Sequence, residues 1–271
     1  MLTFETCVRA LPSIRAVRRR LLAPAIVTAT LALSGGVASA SRTDLPRAGI
    51  PWMLTVGDSI TYGWSVDPAV QGNPSWATIV RDRLAAQGDQ LALYDPACPG
   101  ETTRTYAQGG CSGKFFVPAL DGLSQQAVAM RAIRERGGDL RLIVVALGIN
   151  DYFQARAAGG DVEARLDTAG RRLDALVGVL QAAAPGVPVI LANIYDPHGR
   201  YDSWAQAWYF DDLVAGVAAR HHAALADFRD AVAPDRCRYL DCAHDDIHPT
   251  LAGDAALAAA VLDALQGPQA R

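Results

Sequence analysis

Past residue 40 this 271-residue sequence has no apolar run long enough to cross a bilayer, which excludes a membrane-spanning helix there. It has no C-x-x-C pair and no histidine spacing to match one, so the common structural zinc sites are ruled out. It lacks G-x-S-x-G, so any nucleophilic serine is not mounted on that strand-to-helix elbow. Gly110-Cys111-Ser112-Gly113-Lys114 lacks the full spacing and the following Ser/Thr of a phosphate loop. Internal repeats and low-complexity tracts are missing, and composition does not break after residue 41. The reading is therefore one domain, 41–271, of ordinary globular composition.

What precedes residue 41 is different. Arg9, Arg15 and Arg18-Arg19-Arg20 form a basic region, Leu21 to Val37 an apolar one, and Ala38-Ser39-Ala40 a small-x-small cleavage pattern. Residues 1–40 read as a secretory signal, with a secreted (extracellular or periplasmic) product. A membrane anchor fits less well because of Pro24, Ser34-Gly35-Gly36 and the shortness of the run. Arg18-Arg19-Arg20-Leu21-Leu22 resembles a twin-arginine signal with Val17 where Ser or Thr is usual, so the export route stays open. The leader holds five of the 25 basic residues and one of the 28 acidic ones, leaving 20 against 27, net −7. Such a chain is a poor partner for nucleic acid. Cys7 leaves with the leader. The other four cysteines, even in number in an exported chain, predict disulfides. Of three possible pairings the sequence-local one is expected, Cys98–Cys111 with Cys237–Cys242.

Strand-like and helix-like segments alternate through the rest. Strands are expected at Trp52–Val56, Leu91–Tyr94, Leu140–Leu147, Val187–Ile194 and Ala224–Phe228. Helices are expected at Ser75–Gln87, Leu120–Arg136, Val162–Ala184, Trp204–His221 and Thr250–Leu265. The continuous apolar run Leu140–Leu147 argues a strand covered on both faces. The alternation argues an α/β fold of about five parallel strands with helices on both faces. Pro96 to Gly113 reads as loop.

Polar groups gather at the expected strand ends: Ser59 after strand one, Gly100 after strand two, Asn150 after strand three. Near the C-terminus stands Asp245-Asp246-Ile247-His248-Pro249. In a parallel sheet these ends share one edge. A serine hydroxyl becomes a nucleophile when a base takes its proton, and His248 suits that role. A carboxylate must fix the imidazole's tautomer; Asp245 can reach Nδ1 across a turn. Pro249 suits the first position of the last helix. The N–H groups of Ser59 and Gly100 and the amide of Asn150 are candidate oxyanion donors.

Gly57-Asp58-Ser59-Ile60, Gly100, Gly148-x-Asn150-Asp151 and Asp245-x-x-His248-Pro249 resemble, in order, the four sequence blocks of the SGNH/GDSL hydrolases. The resemblance spans nearly all of residues 41–271. It implies a three-layer α/β/α, flavodoxin-like fold and serine hydrolysis of esters. It also implies Ser59, Asp245 and His248 as triad and Ser59, Gly100 and Asn150 as oxyanion hole. Ile60 stands where the nominal motif has leucine, away from the chemistry. The activity implied is that of a secreted esterase or lipase needing no cofactor and no metal. A carbohydrate O-deacetylase would use the same groups. A non-catalytic carbohydrate- or lipid-binding module would lack a triad residue, and none is missing. The expected partner is a small-molecule, lipid or carbohydrate ester, met by a monomer.

Other polar residues carry plainer readings. Asp58 reads as a turn-stabilising carboxylate and Asp151 as structural. Asp246 competes with Asp245, which the three-residue spacing and the family pattern favour. His244 and His248 are four apart, but the polar turn and Pro249 argue against a helical metal pair. His221-His222 reads as a helix end and His198 as surface. Tyr62, Trp64, Phe115, Phe116, Tyr152, Phe153, Tyr195 and Trp204 are aromatics near strand ends that suit either an acyl site or the core.

Overall fold

The computed structural model of the chain describes residues 43–66, 74–196, 201–244 and 246–267, the first four of the 201–220 helix by backbone only. The leader reading, His198, Asp245 and the side chain of Trp204 lie outside the described residues. One parallel sheet of five strands forms the centre, in the order β2-β1-β3-β4-β5. The strands are β1 (Trp52–Gly57), β2 (Ala92–Tyr94), β3 (Leu140–Ala146), β4 (Val189–Ala192) and β5 (Ala224–Ala226). The helices are α1 (Ser59–Tyr62), α2 (Trp76–Ala86), α3 (Thr103–Gln108), α4 (Gln125–Arg136), α5 (Ile149–Ala158), α6 (Val162–Ala183), α7 (Tyr201–Arg220), α8 (Phe228–Val232), α9 (Arg236–Tyr239) and α10 (Leu251–Gln266).

The sheet is parallel because each strand returns through a helical crossover. β1 pairs with both β2 and β3, and its register to β3 places Gly57 opposite Ala146. Every residue of β1 is buried, and β3 is buried except at Arg141. A strand covered on both faces has no polar side, which explains the continuous apolar run. The helices form two groups: α10 packs with α2 and α8, while α6 packs with α3, α4, α5 and α7. Each fully buried Leu, Ile or Val of this core adds roughly 1.5–3 kcal/mol relative to exposure. Among the described residues no helix is long and apolar enough to cross a membrane.

Three local readings change. The loop over 96–113 contains α3, capped by Thr102, whose side chain accepts from the Thr105 N–H. Strand three is followed by a helix, α5, where the sequence pattern predicts none. The helix expected from Leu120 begins at Gln125, because Ser124 caps it and accepts from the Ala127 N–H at 3.1 Å. The cysteines pair as Cys98–Cys111 and Cys237–Cys242.

Candidate active site

β1 ends at Gly57, and a Cβ there would collide with the side chain of Thr61. The chain can thus fold back at once into α1. Asp58 caps that single turn: its Oδ1 accepts from the Ile60 N–H at 3.0 Å. Burial pushes the Asp58 carboxyl up to about 7. Ser59 is the first residue of α1, and its carbonyl accepts from the Trp64 N–H at 2.9 Å. Asp58 thus serves the turn, and Ser59 emerges from the sheet's C-terminal edge where parallel α/β folds collect their ligands.

His248 reaches this serine from the far end of the sequence. Its Nε2 lies 2.9 Å from Ser59 Oγ. Its Nδ1 lies 2.7 Å from Oδ1 of Asp246. Both side chains of that pair are only 13% exposed, so their interaction is little screened by solvent. Burial lowers the His248 pKa below its ordinary value, against the opposing charge and hydrogen bond of Asp246. The imidazole is therefore neutral near pH 7, the state a general base requires.

Among the described residues the carboxylate on Nδ1 is that of Asp246; Asp245, the acid expected from spacing, lies outside the described residues. The Asp246 N–H donates to the Asp241 carbonyl at 3.1 Å, and its Oδ1 also accepts from the Ile247 N–H at 2.8 Å. That tight turn brings a carboxylate two residues upstream onto the ring. The turn is tied down on several sides. Tyr195 Oη donates to the Ile247 carbonyl at 3.0 Å. The Asp241 N–H donates to the His248 carbonyl, and the Thr250 N–H to the Tyr239 carbonyl. Pro249 is not the first residue of α10. Thr250 caps that helix through the Gly253 N–H, and Pro249 bridges antiparallel to Leu240. Cys237–Cys242 closes the short segment that carries Leu240, one side of this bridge.

On the other side stands the loop after β2. Gly100 has φ +78°, and a Cβ there would collide with the side chain of Ser112. Cys98–Cys111 closes this loop. The Cys98 N–H donates to the Gly57 carbonyl at 3.1 Å. Asn150, in the first turn of α5, donates one amide hydrogen to the Glu101 carbonyl at 3.0 Å, leaving the second available. Among the described residues neither the Ser59 nor the Gly100 N–H has a hydrogen-bond partner. Asp151 accepts from the Thr103 N–H and Oγ1 at 2.8 and 2.7 Å, locking α5 to α3, the structural role expected of it.

Trp64 stands beside the histidine, ring centroids 6.4 Å apart, and meets Phe116 edge to face at 5.2 Å. Phe115 is 85% exposed. Tyr152 and Tyr195 are core residues, and Phe153 packs on Tyr152. His244 carries its own acid, Asp241, and His221 bonds Gln181 and Asp174. Cys98, Glu101 and Cys111 group metal-ligating atom types, but both sulfurs are spent in the disulfide. A groove of about 540 Å³ between α3, α5 and α6, lined by Arg104, Arg165 and Arg172, includes neither Ser59 nor His248.

A parallel α/β sheet with serine, histidine and carboxylate in line at its edge has the geometry of a serine hydrolase. The particular family follows from comparison. A model of the GDSL-like Lipase/Acylhydrolase family matches residues 55–256, most of the chain, and the chain belongs to that family. No curated protein matches the sequence. Solved structures share the fold. Axe2, an acetylxylan esterase from Geobacillus stearothermophilus, is 17% identical, with 84% of this chain and 100% of that one covered and a TM-score of 0.60. LAE5, an alpha/beta hydrolase enzyme from the metagenome of Lake Arreo, Spain, is 22% identical, over 82% and 97%, at 0.58. TesA is 23% identical, over 79% and 97%, at 0.55.

Proposed function

We propose that the chain is an exported serine esterase whose triad is Ser59, His248 and Asp246. The 2.9 Å approach of His248 Nε2 to Ser59 Oγ, across 189 positions of sequence, carries this reading. Ser59 Oγ attacks the ester carbonyl carbon while its proton passes to Nε2. Asp246 holds the ring with its proton on Nδ1 and stabilises the imidazolium. The oxyanion forms against the Ser59 and Gly100 N–H groups and the free amide hydrogen of Asn150. Collapse breaks the C–O bond, and the leaving alcohol takes the proton from Nε2. Water then attacks the acyl-enzyme with its proton going to Nε2. The acid leaves, and Ser59 recovers its hydrogen. The net reaction is ester plus water to acid plus alcohol.

The leader pattern and two disulfides support export, since such bridges persist in oxidising compartments. The Trp64–Phe116 pair beside His248 offers apolar surface on which the acyl part of an ester can pack. A fluorophosphonate probe tests the chemistry: it should label Ser59, and Ser59→Ala should lose both label and turnover. Labelling elsewhere sinks the assignment. Esters of graded acyl length test the substrate. A preference for acetyl esters of sugars over longer acyl chains would make the chain an O-deacetylase instead.

A further inference from the structure

Gln125 has no part in the chemistry above, yet its amide is fully engaged at the site's base. It is the first residue of α4 and is 1% exposed. Its Oε1 accepts from the Gly57 N–H at 2.9 Å, and its Nε2 donates to the Gly57 carbonyl at 2.9 Å. One side chain thus grips both the N–H and the carbonyl of the residue two positions before the nucleophile. The remaining Nε2 hydrogen goes to Oε2 of Glu101 at 3.1 Å. Glu101 follows Gly100, and its own carbonyl receives the Asn150 amide. Bonds through Gln125 therefore connect the strand end that carries Ser59 to the loop that carries Gly100 and, through it, to Asn150.

We infer that Gln125 and Glu101 form a clamp that fixes the nucleophile turn relative to the oxyanion donors, making Gln125 a positioning residue for ester hydrolysis. Other structure could hold each loop alone. The disulfide closes the Gly100 loop on itself, and Asp58 caps the serine turn locally. Asp95 links Thr55 of β1 to the start of the Gly100 loop, and the Cys98 N–H reaches the Gly57 carbonyl; the Gln125 amide adds the tie that runs from Gly57 to Glu101, beside Gly100. Burial holds the Glu101 carboxyl up at about 7, so near neutrality it is shared between the protonated and ionised forms, and the Gln125 amide can donate to either. The Glu101 Oε1 is buried without a hydrogen-bond partner, so the hydrogen bond from the Gln125 amide orients this carboxyl, while the backbone is held by the Cys98 carbonyl and the Asn150 amide.

The inference rests on Ser59 being the nucleophile, and the experiment separates the two. The variants are Gln125→Glu, Glu101→Gln and both together, assayed with a soluble p-nitrophenyl ester. Turnover is counted per Ser59 labelled at completion by a fluorophosphonate, with folding checked by circular dichroism. Gln125→Glu keeps shape and the acceptor for the Gly57 N–H but removes both donors and faces Glu101. It should lower kcat per labelled site about 10- to 100-fold while KM stays within about threefold, as displacement of reacting groups does. The double variant restores an amide-to-carboxyl bond with reversed polarity and should regain about fivefold or more over Gln125→Glu. Unchanged kcat in Gln125→Glu, a loss confined to KM, or a double variant no better than Gln125→Glu overturns the clamp. An unfolded Gln125→Glu chain overturns it too, by assigning the amide to stability alone. Failure of the parent to label at Ser59 refutes the nucleophile instead.

Discussion

Replacing Asp246 by asparagine tests the catalytic geometry most directly. Oδ1 of Asp246 accepts from two donors, the Ile247 N–H and His248 Nδ1. An asparagine must therefore keep its carbonyl at that position, since an NH₂ there would face both donors. The ring keeps its proton on Nδ1, and the tautomer stays correct. What is lost is the negative charge beside the imidazolium that forms in the transition state. For charges roughly 4 Å apart at an effective dielectric of about 20, that is about 4 kcal/mol. A change of that size lowers kcat about 10³-fold. The new NH₂ would also occupy the Oδ2 site, which is buried without a partner. A further stability loss of about 1–3 kcal/mol is expected there. The Asp246 charge and hydrogen bond both raise the His248 pKa, so their weakening should move the acid limb of kcat/KM to lower pH. Steady-state kinetics across pH on Asp246→Asn and Asp245→Asn decide the matter. A loss under tenfold at Asp246, or the 10³-fold loss appearing at Asp245, would refute the assignment.

In the parent enzyme the acid limb of kcat/KM should lie below pH 6.5, because burial lowers the His248 pKa; a limb above 7 would contradict this. Asp58, Glu101 and Asp211 are each held up at about 7 by burial, so the folded chain keeps protons that the unfolded chain releases. Their contribution is full below about pH 4 and is lost as pH rises to about 7, outweighing the opposite effect of His248. Urea unfolding should show stability falling across that window, less steeply in Glu101→Gln. Replacing Cys98 and Cys111 by alanine should cost about 3 kcal/mol in the same assay, the loop-entropy value for a separation of this size. Trp64→Ala and Phe116→Ala should lower kcat/KM for long-chain esters several-fold and leave acetyl esters nearly unchanged; equal losses on both would remove these rings from the substrate's path.

The strand ends were readable in the sequence because they obey local rules. An apolar run that stops at Gly57 or just before Gly148 signals a buried strand meeting a turn. β3 announced itself by an apolar run broken only by Arg141. Asn150 and Gly100 followed from their places after those strands and from the family blocks. α3 and α5 were missed because their sequences carry no long apolar period; their first turns are held by contacts such as Asp151 to Thr103. Gln125 offered no signal, since one glutamine after a capping serine looks like any other. Its role exists only once α4 is laid against the end of β1.

By itself the sequence determined the alternation of strands and helices, the cysteine pairing that proximity favours, and the serine and histidine as the pair to watch. Those are properties of local pattern and of residue type. That Asp246 faces His248 came from tertiary structure. Asp245 and Asp246 are chemically identical and adjacent, so spacing ranks them only by assuming a turn. The turn that forms is set by Asp241, Tyr195 and the bridge of Leu240 to Pro249, and it delivers Asp246. The tie between nucleophile and oxyanion loop was decided the same way. Hydrogen bonds that span 68 and 24 positions depend on where the backbone passes, and no residue pattern encodes that locally.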